Sequence, residues 1–405
     1  MIAVSAGRPA SKETDMSFDE SDHRALGERL DLFHFAPEAP GMAYWHPRGW
    51  AAYRALEAAV RRRLREEGFE EVRTPQLMRR EVWERSGHWT HFREGLFVSG
   101  DDALKPVSCP GHMALAARRS LSWRDLPLRY AELGLVHRNE PSGSLHGLFR
   151  LRQFTQDDGH IMLPERDVAA EVARFLDSLA AFYRSVGFDR VQLAFSTRPA
   201  ERAGDDAAWD RAEAALRAAL GEREHVVHPG EGAFYGPKIE LALEDRLGRA
   251  WQCGTIQLDL VLPARFGVWY ADEDGARRVP AMLHRAMLGS LERFLGVLLE
   301  HHEGRLPPWL APEQAVVLPV SDASLPYARE VHAQLTARGL RARLDPRAES
   351  LSRRVRDAHA LAVPFVAIVG EREQRARRVA VRGLVGEPVL ELDAAVGALV
   401  EACER

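Results

Sequence analysis

Gly304-Arg305-Leu306-Pro307-Pro308 divides the sequence into two textures. Glycine readily follows the end of a helix and a proline pair cannot continue one, so this run reads as a junction between two folded parts. Downstream the order is regular. It predicts a strand over 316–320, a helix over 325–338 ended by Gly339, and a strand over 340–344. A helix over 350–361, strands over 365–369 and 378–382, and a last helix over 393–402 follow. Alternation of this kind implies a small α/β layer domain with a mostly parallel sheet. Upstream, Trp50, Tyr53, Leu56, Val60 and Leu64 recur at steps of three and four, predicting a helix over 48–67 stopped by Gly68. Residues 69–75 read as extended, closed by Pro75. Val168, Val172, Phe175, Leu179, Phe182 and Val186 form the stripe of a helix over 165–186. Residues 191–195 and 251–262 have strand character. Residues 286–300 predict a helix with Leu288, Leu291, Leu295 and Leu298 inward. Strands and helices are more segregated here, as in an antiparallel α+β domain. The fold class is therefore α+β: a polar, disordered tail over 1–21, a large domain over 22–306 and a small α/β domain over 307–405.

Composition narrows the function classes. With 405 residues, 46% hydrophobic and 28% charged, the chain is an ordinary globular protein of two or three domains rather than a disordered or collagenous one. It has no run of 18 apolar residues, which argues against a spanning helix. The start has no cationic stretch followed by an apolar one, so it does not read as a secretory signal. Three cysteines, Cys109, Cys253 and Cys403, make no disulfide framework, and a cytoplasmic location is expected. A net charge of −4 gives no global nucleic-acid signature. Only Lys12, Lys105 and Lys238 among the 55 basic residues are lysines, which makes Lys105 and Lys238 candidates for function.

Several segments carry chemistry. Cys109-Pro110-Gly111-His112 has a C-x2-H spacing, a weak metal signal alone. One Cys with two His would leave an open coordination position, the pattern of a catalytic zinc. Spacing does not choose among the 16 histidines, each of which also reads as a turn or core histidine. His137-Arg138-Asn139-Glu140, the polar loop 141–146 and Arg150-Leu151-Arg152-Gln153-Phe154 place arginine forks and an aromatic ring together. These suit phosphate and a stacked base, or equally a solvated surface hairpin. The glycine-rich 230–237 with Lys238 permits close backbone approach to a ligand without being a Walker loop.

Together these segments resemble the class II aminoacyl-tRNA synthetases, and within them the threonyl-tRNA synthetases. The runs SCPGH, LPLRYAELG, HRNEPSGSLHGL, FTQDDGHI, FSTRP, EGAFYGPKIE, RAWQCGTIQLD and HRAMLGSLERF carry the resemblance, which extends from Asp22 to the C-terminus. It implies an antiparallel-sheet catalytic domain followed by an anticodon-binding-like domain. It implies zinc on Cys109, His160 and His284, with His112 structural, and Mg2+ accompanying ATP. Asp158 would orient the substrate, with Tyr235 and Gln257 lining its pocket. Arg138 would hold the α-phosphate, Glu140 the adenine amino group, and Phe154 would stack under the ring. Arg150 and Arg293 would meet the γ-phosphate and the other adenine face. Lys238 and Gln252 complete the phosphate shell, and Gln156, Thr255 and Ser290 belong to the same binding set. His88 would assist transfer to tRNA, and Pro75 marks a homodimer interface.

The implied activity is formation of threonyl-adenylate from L-threonine and ATP and transfer to tRNA(Thr), without membrane attachment. The family's N-terminal ubiquitin-like and editing domains have no counterpart before residue 22, so no correction of mischarged serine in cis is expected. Ala348, Ser350 and Ala362 stand where the family commonly has Asn, Lys and Arg for anticodon contacts, whereas Glu373 and Arg382 match. Val107, Ser108, Gln153 and Gly159 are further departures beside the site. The eroded anticodon face motivates an alternative: an activating enzyme that loads a carrier protein instead of tRNA.

Overall fold

The structure, a computed structural model, describes residues 19–244 and 248–404, so the tail expected over 1–21 lies almost wholly outside the described residues. The chain begins with α1 (His23–Arg29) and the long helix α2 (Pro47–Glu66). Pro47 occupies the first turn of α2, where its missing N–H costs nothing. Tyr53, Leu56, Val60 and Leu64 form its buried stripe. Each such side chain contributes about 1.5–3 kcal/mol by leaving water. Within the extended segment β1 (Glu70–Glu71) pairs with a later strand, and the Val72 N–H continues the contact to the Ala131 carbonyl at 2.8 Å. Beyond it come α3 (Cys109–Ala116), β2 (Leu128–His137), β3 (Gln153–Leu163) and α4 (Val168–Ser185). β4 (Val191–Ser196), α5 (Asp206–Leu220), β5 (Val226–His228), β6 (Lys238–Glu244) and β7 (Ala250–Asp259) follow, then β8 (Ala281–Ala286) and α6 (Leu291–His301).

These eight strands make one sheet in the order β5-β4-β6-β7-β8-β3-β2-β1. The six central strands are antiparallel, and only the outer pairs β4–β5 and β1–β2 run parallel. Apolar residues of α2, α4, α5 and α6 form one buried cluster with one face of this sheet. The other face is left for the cavity described below.

Residues 286–300 do not form the single helix expected. β8 ends at Ala286, and α6 starts only at Leu291. Gly289 has φ +75°, and a Cβ there would lie 2.9 Å from the Cys253 carbonyl oxygen. The chain therefore turns at Gly289, and Ser290 caps α6 by accepting the Arg293 N–H at 3.0 Å.

The C-terminal part contains β9 (Ala315–Pro319), α7 (Leu325–Ala337), β10 (Ala342–Leu344), α8 (Leu351–Ala360) and β11 (Phe365–Val369). α9 (Glu371–Ala376), β12 (Arg378–Arg382), β13 (Val389–Glu391) and α10 (Leu392–Cys403) complete it. Its sheet order is β10-β9-β11-β12-β13. The sheet is mixed rather than mostly parallel. β9 pairs in parallel with β10 and β11, whereas β11–β12 and β12–β13 are antiparallel. The short helix α9 and hairpin strand β13 leave too little chain for further crossovers. Arg48 links the two parts, donating to Glu313 at 2.9 Å and to the Leu361 carbonyl at 2.8 Å.

Candidate active site

The pleat of the central sheet puts the proposed ligands together. In the antiparallel β3–β8 pair, His160 lies directly opposite His284. Side chains at such positions project from the same face. His160 Nε2 and His284 Nδ1 are 3.1 Å apart. Cys109, the first residue of α3, brings its thiol to the same point, with all three donor atoms within 4.8 Å of one another. Burial pushes the thiol pKa up, reinforced by the carboxylates of Asp158 and Asp259. Burial pushes the His160 pKa down, and His112 and His284 add to the effect, so its imidazole is neutral and has a lone pair to offer. A divalent cation would reverse the thiol's preference, because thiolate is the binding form. One sulfur and two imidazole nitrogens, buried together beside a cavity, fit zinc with an open position.

The supports of the two histidines were not read from the sequence. His284 Nε2 faces the Asp259 carboxylate at 3.0 Å, which itself accepts the backbone N–H groups of Val261 and Leu262. His160 Nδ1 meets His112 Nδ1 at 2.7 Å, and His112 Nε2 meets Glu132 at 3.3 Å. His112 is thus behind the donor set and not in it. Burial alone would raise the Glu132 pKa, but hydrogen bonds from His112, Lys105 and Thr74 hold it at about 2. Lys105, singled out for its rarity, is buried on Glu132 at 2.7 Å. An acidic residue ending a strand whose neighbour carries a ligand histidine was the available sequence signal for Asp259.

The cavity beside this centre has a volume of about 510 Å3, a size suited to a small-molecule complex. Cys109, His160 and His284 lie at one end with Asp158, Tyr235, Gln156 and Gln257. Asp158 accepts the Ser108 N–H at 3.1 Å, and burial raises its pKa. The Tyr235 ring lies 4.9 Å from that of His284. The Gln156 side-chain oxygen is buried with no hydrogen-bond partner among the described residues, and an acceptor of that kind demands a donor.

The hairpin between β2 and β3 shapes the other end. Arg138 lies over the Phe154 ring at 5.1 Å, and Glu140 pairs with Arg150 at 2.9 Å. Arg293 donates to the carbonyls of Phe149 and Gln252. Lys238 pairs with Glu240 at 2.7 Å, and Gln252 and Thr255 stand alongside. Ser290 and all these expected nucleotide contacts line the same cavity. His88 alone among the expected site residues does not. It is buried between Trp83, Phe234 and Tyr235, with its Nδ1 2.9 Å from the Ser86 hydroxyl. Burial pushes its pKa down to about 3.

The hairpin is itself clamped by a residue the sequence reading passed over. The buried His23 ring accepts the Leu148 N–H at 2.9 Å and donates from Nδ1 to Glu300 at 2.7 Å. It also packs on Phe149 at 4.1 Å. In the C-terminal part, five of the seven arginines between 338 and 356 are engaged within the chain: Arg341, Arg343, Arg347, Arg353 and Arg354. Arg354 and Arg341 bind main-chain carbonyls of their own chain.

Comparison with known proteins identifies the family. The family described as tRNA synthetase class II core domain (G, H, P, S and T) matches residues 99–302, and the family described as anticodon binding domain matches 314–396. The chain is 51% identical over 370 residues to the threonine–tRNA ligase of Halorhodospira halophila, covering 90% of this chain and 58% of that protein. It is 49% identical over 389 residues to the threonine–tRNA ligase of Polynucleobacter asymbioticus, covering 94% and 61%. The chain thus spans about three fifths of the length of the curated relatives it matches. A crystal structure described as the RNA binding domain of threonyl-tRNA synthetase from Cryptosporidium parvum superimposes with a TM-score of 0.91 at 39% identity, covering 94% of this chain and 98% of that one.

Proposed function

This chain belongs to the class II aminoacyl-tRNA synthetases, within the threonyl-tRNA synthetase family, and on that premise we propose that it activates L-threonine with ATP and transfers the threonyl group to tRNA(Thr). The observation that carries the proposal is one cavity with a Cys-His-His donor set at one end and an arginine-lined, aromatic-floored groove at the other. When bound, zinc at Cys109, His160 and His284 would supply a Lewis-acidic position for an amino nitrogen and a neighbouring hydroxyl oxygen.

The chain's own side chains do the rest. Asp158 and the buried Gln156 oxygen accept from the substrate's amino group, and Tyr235 and Gln257 close the pocket around its side chain. Valine fills the same volume without supplying a hydroxyl, and a site built on that hydroxyl would reject it by about 10⁴-fold. Serine retains the hydroxyl and is the harder competitor. Phe154 stacks under adenine and Glu140 accepts from its amino group, with Arg150 and Arg293 at the γ-phosphate and the opposite ring face. ATP enters as its Mg2+ complex. Arg138 stands at the α-phosphate, where negative charge builds as the threonine carboxylate attacks in line and pyrophosphate leaves, with Lys238 and Gln252 beside it. Thr255 and Ser290 complete the lining. His88, which packs on Tyr235 without lining the cavity, is assigned to the transfer step through that contact. The anticodon-binding match over 314–396 supports tRNA as acceptor, and Pro75 is read as part of a homodimer interface of a cytoplasmic enzyme.

The test is ATP–pyrophosphate exchange by zinc-loaded protein with threonine, serine or valine, followed by acylation of tRNA(Thr). Threonine-dependent exchange and charging are expected. Absence of exchange overturns the proposal. Exchange without charging would keep activation and move the acceptor elsewhere, such as a carrier-protein thiol.

A further inference from the structure

We propose that His112, Glu132 and Lys105 are positioning residues that fix which nitrogen of His160 faces the metal, and so set the affinity of the centre. The inference rests on the metal centre of the preceding reading and concerns residues that reading does not use.

The argument is one of hydrogen placement. His160 Nδ1 and His112 Nδ1 are 2.7 Å apart, so one hydrogen lies between them. Were it on His112, the His160 hydrogen would sit on Nε2, the atom facing His284 at 3.1 Å, and the metal position would be blocked. The His112 Nε2 lone pair would then face the Glu132 carboxylate at 3.3 Å, two acceptors in contact. With the hydrogen on His160 Nδ1, every group is matched. His160 donates to His112, His112 donates to Glu132, and His160 Nε2 presents its lone pair to the open position. The chain of donors runs one way only, and its direction is set by the carboxylate at its far end.

That carboxylate is strongly held. Glu132 accepts from the Thr74 N–H at 3.1 Å, the Thr74 hydroxyl at 2.7 Å and the Lys105 ammonium at 2.7 Å. All of these groups are buried, so the ammonium is what makes an ionised carboxylate tolerable there. Thr74 also abuts α3: a Cβ on Gly111 would lie 2.7 Å from its side chain. The helix that presents Cys109 and the relay behind His160 thus converge on one threonine. His284 reaches its carboxylate, Asp259, directly, whereas His160 reaches Glu132 only through a second imidazole.

The test measures metal retention as well as turnover. Zinc affinity by chelator competition, and the Co2+ electronic spectrum, are compared for the parent, His112→Phe, Glu132→Gln and the charge-balanced pair Lys105→Met/Glu132→Gln. Loss of such outer hydrogen-bond partners typically weakens metal binding about 10–100-fold. That loss is expected in all three variants, with an altered Co2+ spectrum and recovery of threonine-dependent exchange at saturating zinc. If Glu132→Gln fails to fold because Lys105 is left unpaired, the charge-balanced pair gives the decision. Zinc affinities within about twofold of the parent, a change too small for a lost partner of this kind, overturn the relay. A parent that binds no stoichiometric zinc, and is indifferent to Cys109→Ala, would instead sink the metal reading itself.

Discussion

Glu292, between the helix-capping Ser290 and Arg293, gives a pH prediction whose size follows from its surroundings. Its carboxylate is buried, accepting the Tyr53 hydroxyl at 3.0 Å and the Thr155 N–H at 3.0 Å, with no cation paired to it among the described residues. Burial pushes its pKa from 4.5 up to about 7. The folded protein then holds a proton that the unfolded chain has released across that interval. The contribution is fully present below the unfolded value and is lost as pH rises through the folded one. The whole linkage is on the order of 3 kcal/mol, and about 2 kcal/mol of it falls between about pH 5.5 and 8.5. Glu292→Gln removes this titration. Asp157, raised to about 6 by burial, adds a slope of the same sign but is common to parent and variant, so it cancels in their difference. Thermal melts of both proteins should show the parent losing roughly 2–4 °C more than the variant between those pH values. Parallel loss in the two proteins would refute the reasoning.

Arg138→Ala should lower threonine-dependent exchange about 10²–10³-fold, the usual cost of one charge-stabilising donor, while circular dichroism reports an intact fold. His23→Ala strands the Leu148 N–H and frees the hairpin. With about 1–3 kcal/mol for an unpaired buried donor, KM for ATP should rise about 5- to 150-fold while KM for threonine stays near the parent value, as steady-state kinetics would show. Gly289→Ala forces a side chain into a left-handed position against the Cys253 carbonyl. It should destabilise the protein by at least about 1–2 kcal/mol in urea titrations. Treatment with a strong zinc chelator should abolish exchange, and added zinc should restore it; retention of activity in demonstrably metal-free protein would contradict the assignment of the substrate pocket.

How much could be read in advance depended on whether the controlling physics is local. The α2 stripe and the strand–helix alternation after the Gly304–Pro308 junction are periodic signals, and the helices and strands they predict are found nearly residue for residue. The start of α6 was misplaced because Leu288 fits a helical stripe, while Gly289 is forced by a carbonyl on a different strand. The candidate metal donors could not be chosen by spacing, since His160 and His284 are 124 positions apart and meet only through strand pairing. Resemblance to a family supplied that choice. His23, Asp259 and Glu132 went unread for the same reason: each acts on a partner remote in the chain. A count of arginines in the C-terminal part is likewise blind to which guanidiniums bind the protein's own carbonyls, as Arg341 and Arg354 do.

The facing positions of His160 and His284 would make the proposed chemistry intolerant of length changes in a way that ordinary substitution would not reveal. Deleting or inserting one residue within either strand would turn the imidazole beyond the lesion toward the packed helices, even with every amino acid type preserved. Natural variation in length should therefore collect in the connecting loops, and a library that scans single-residue deletions should show silence through these two strands and tolerance on either side.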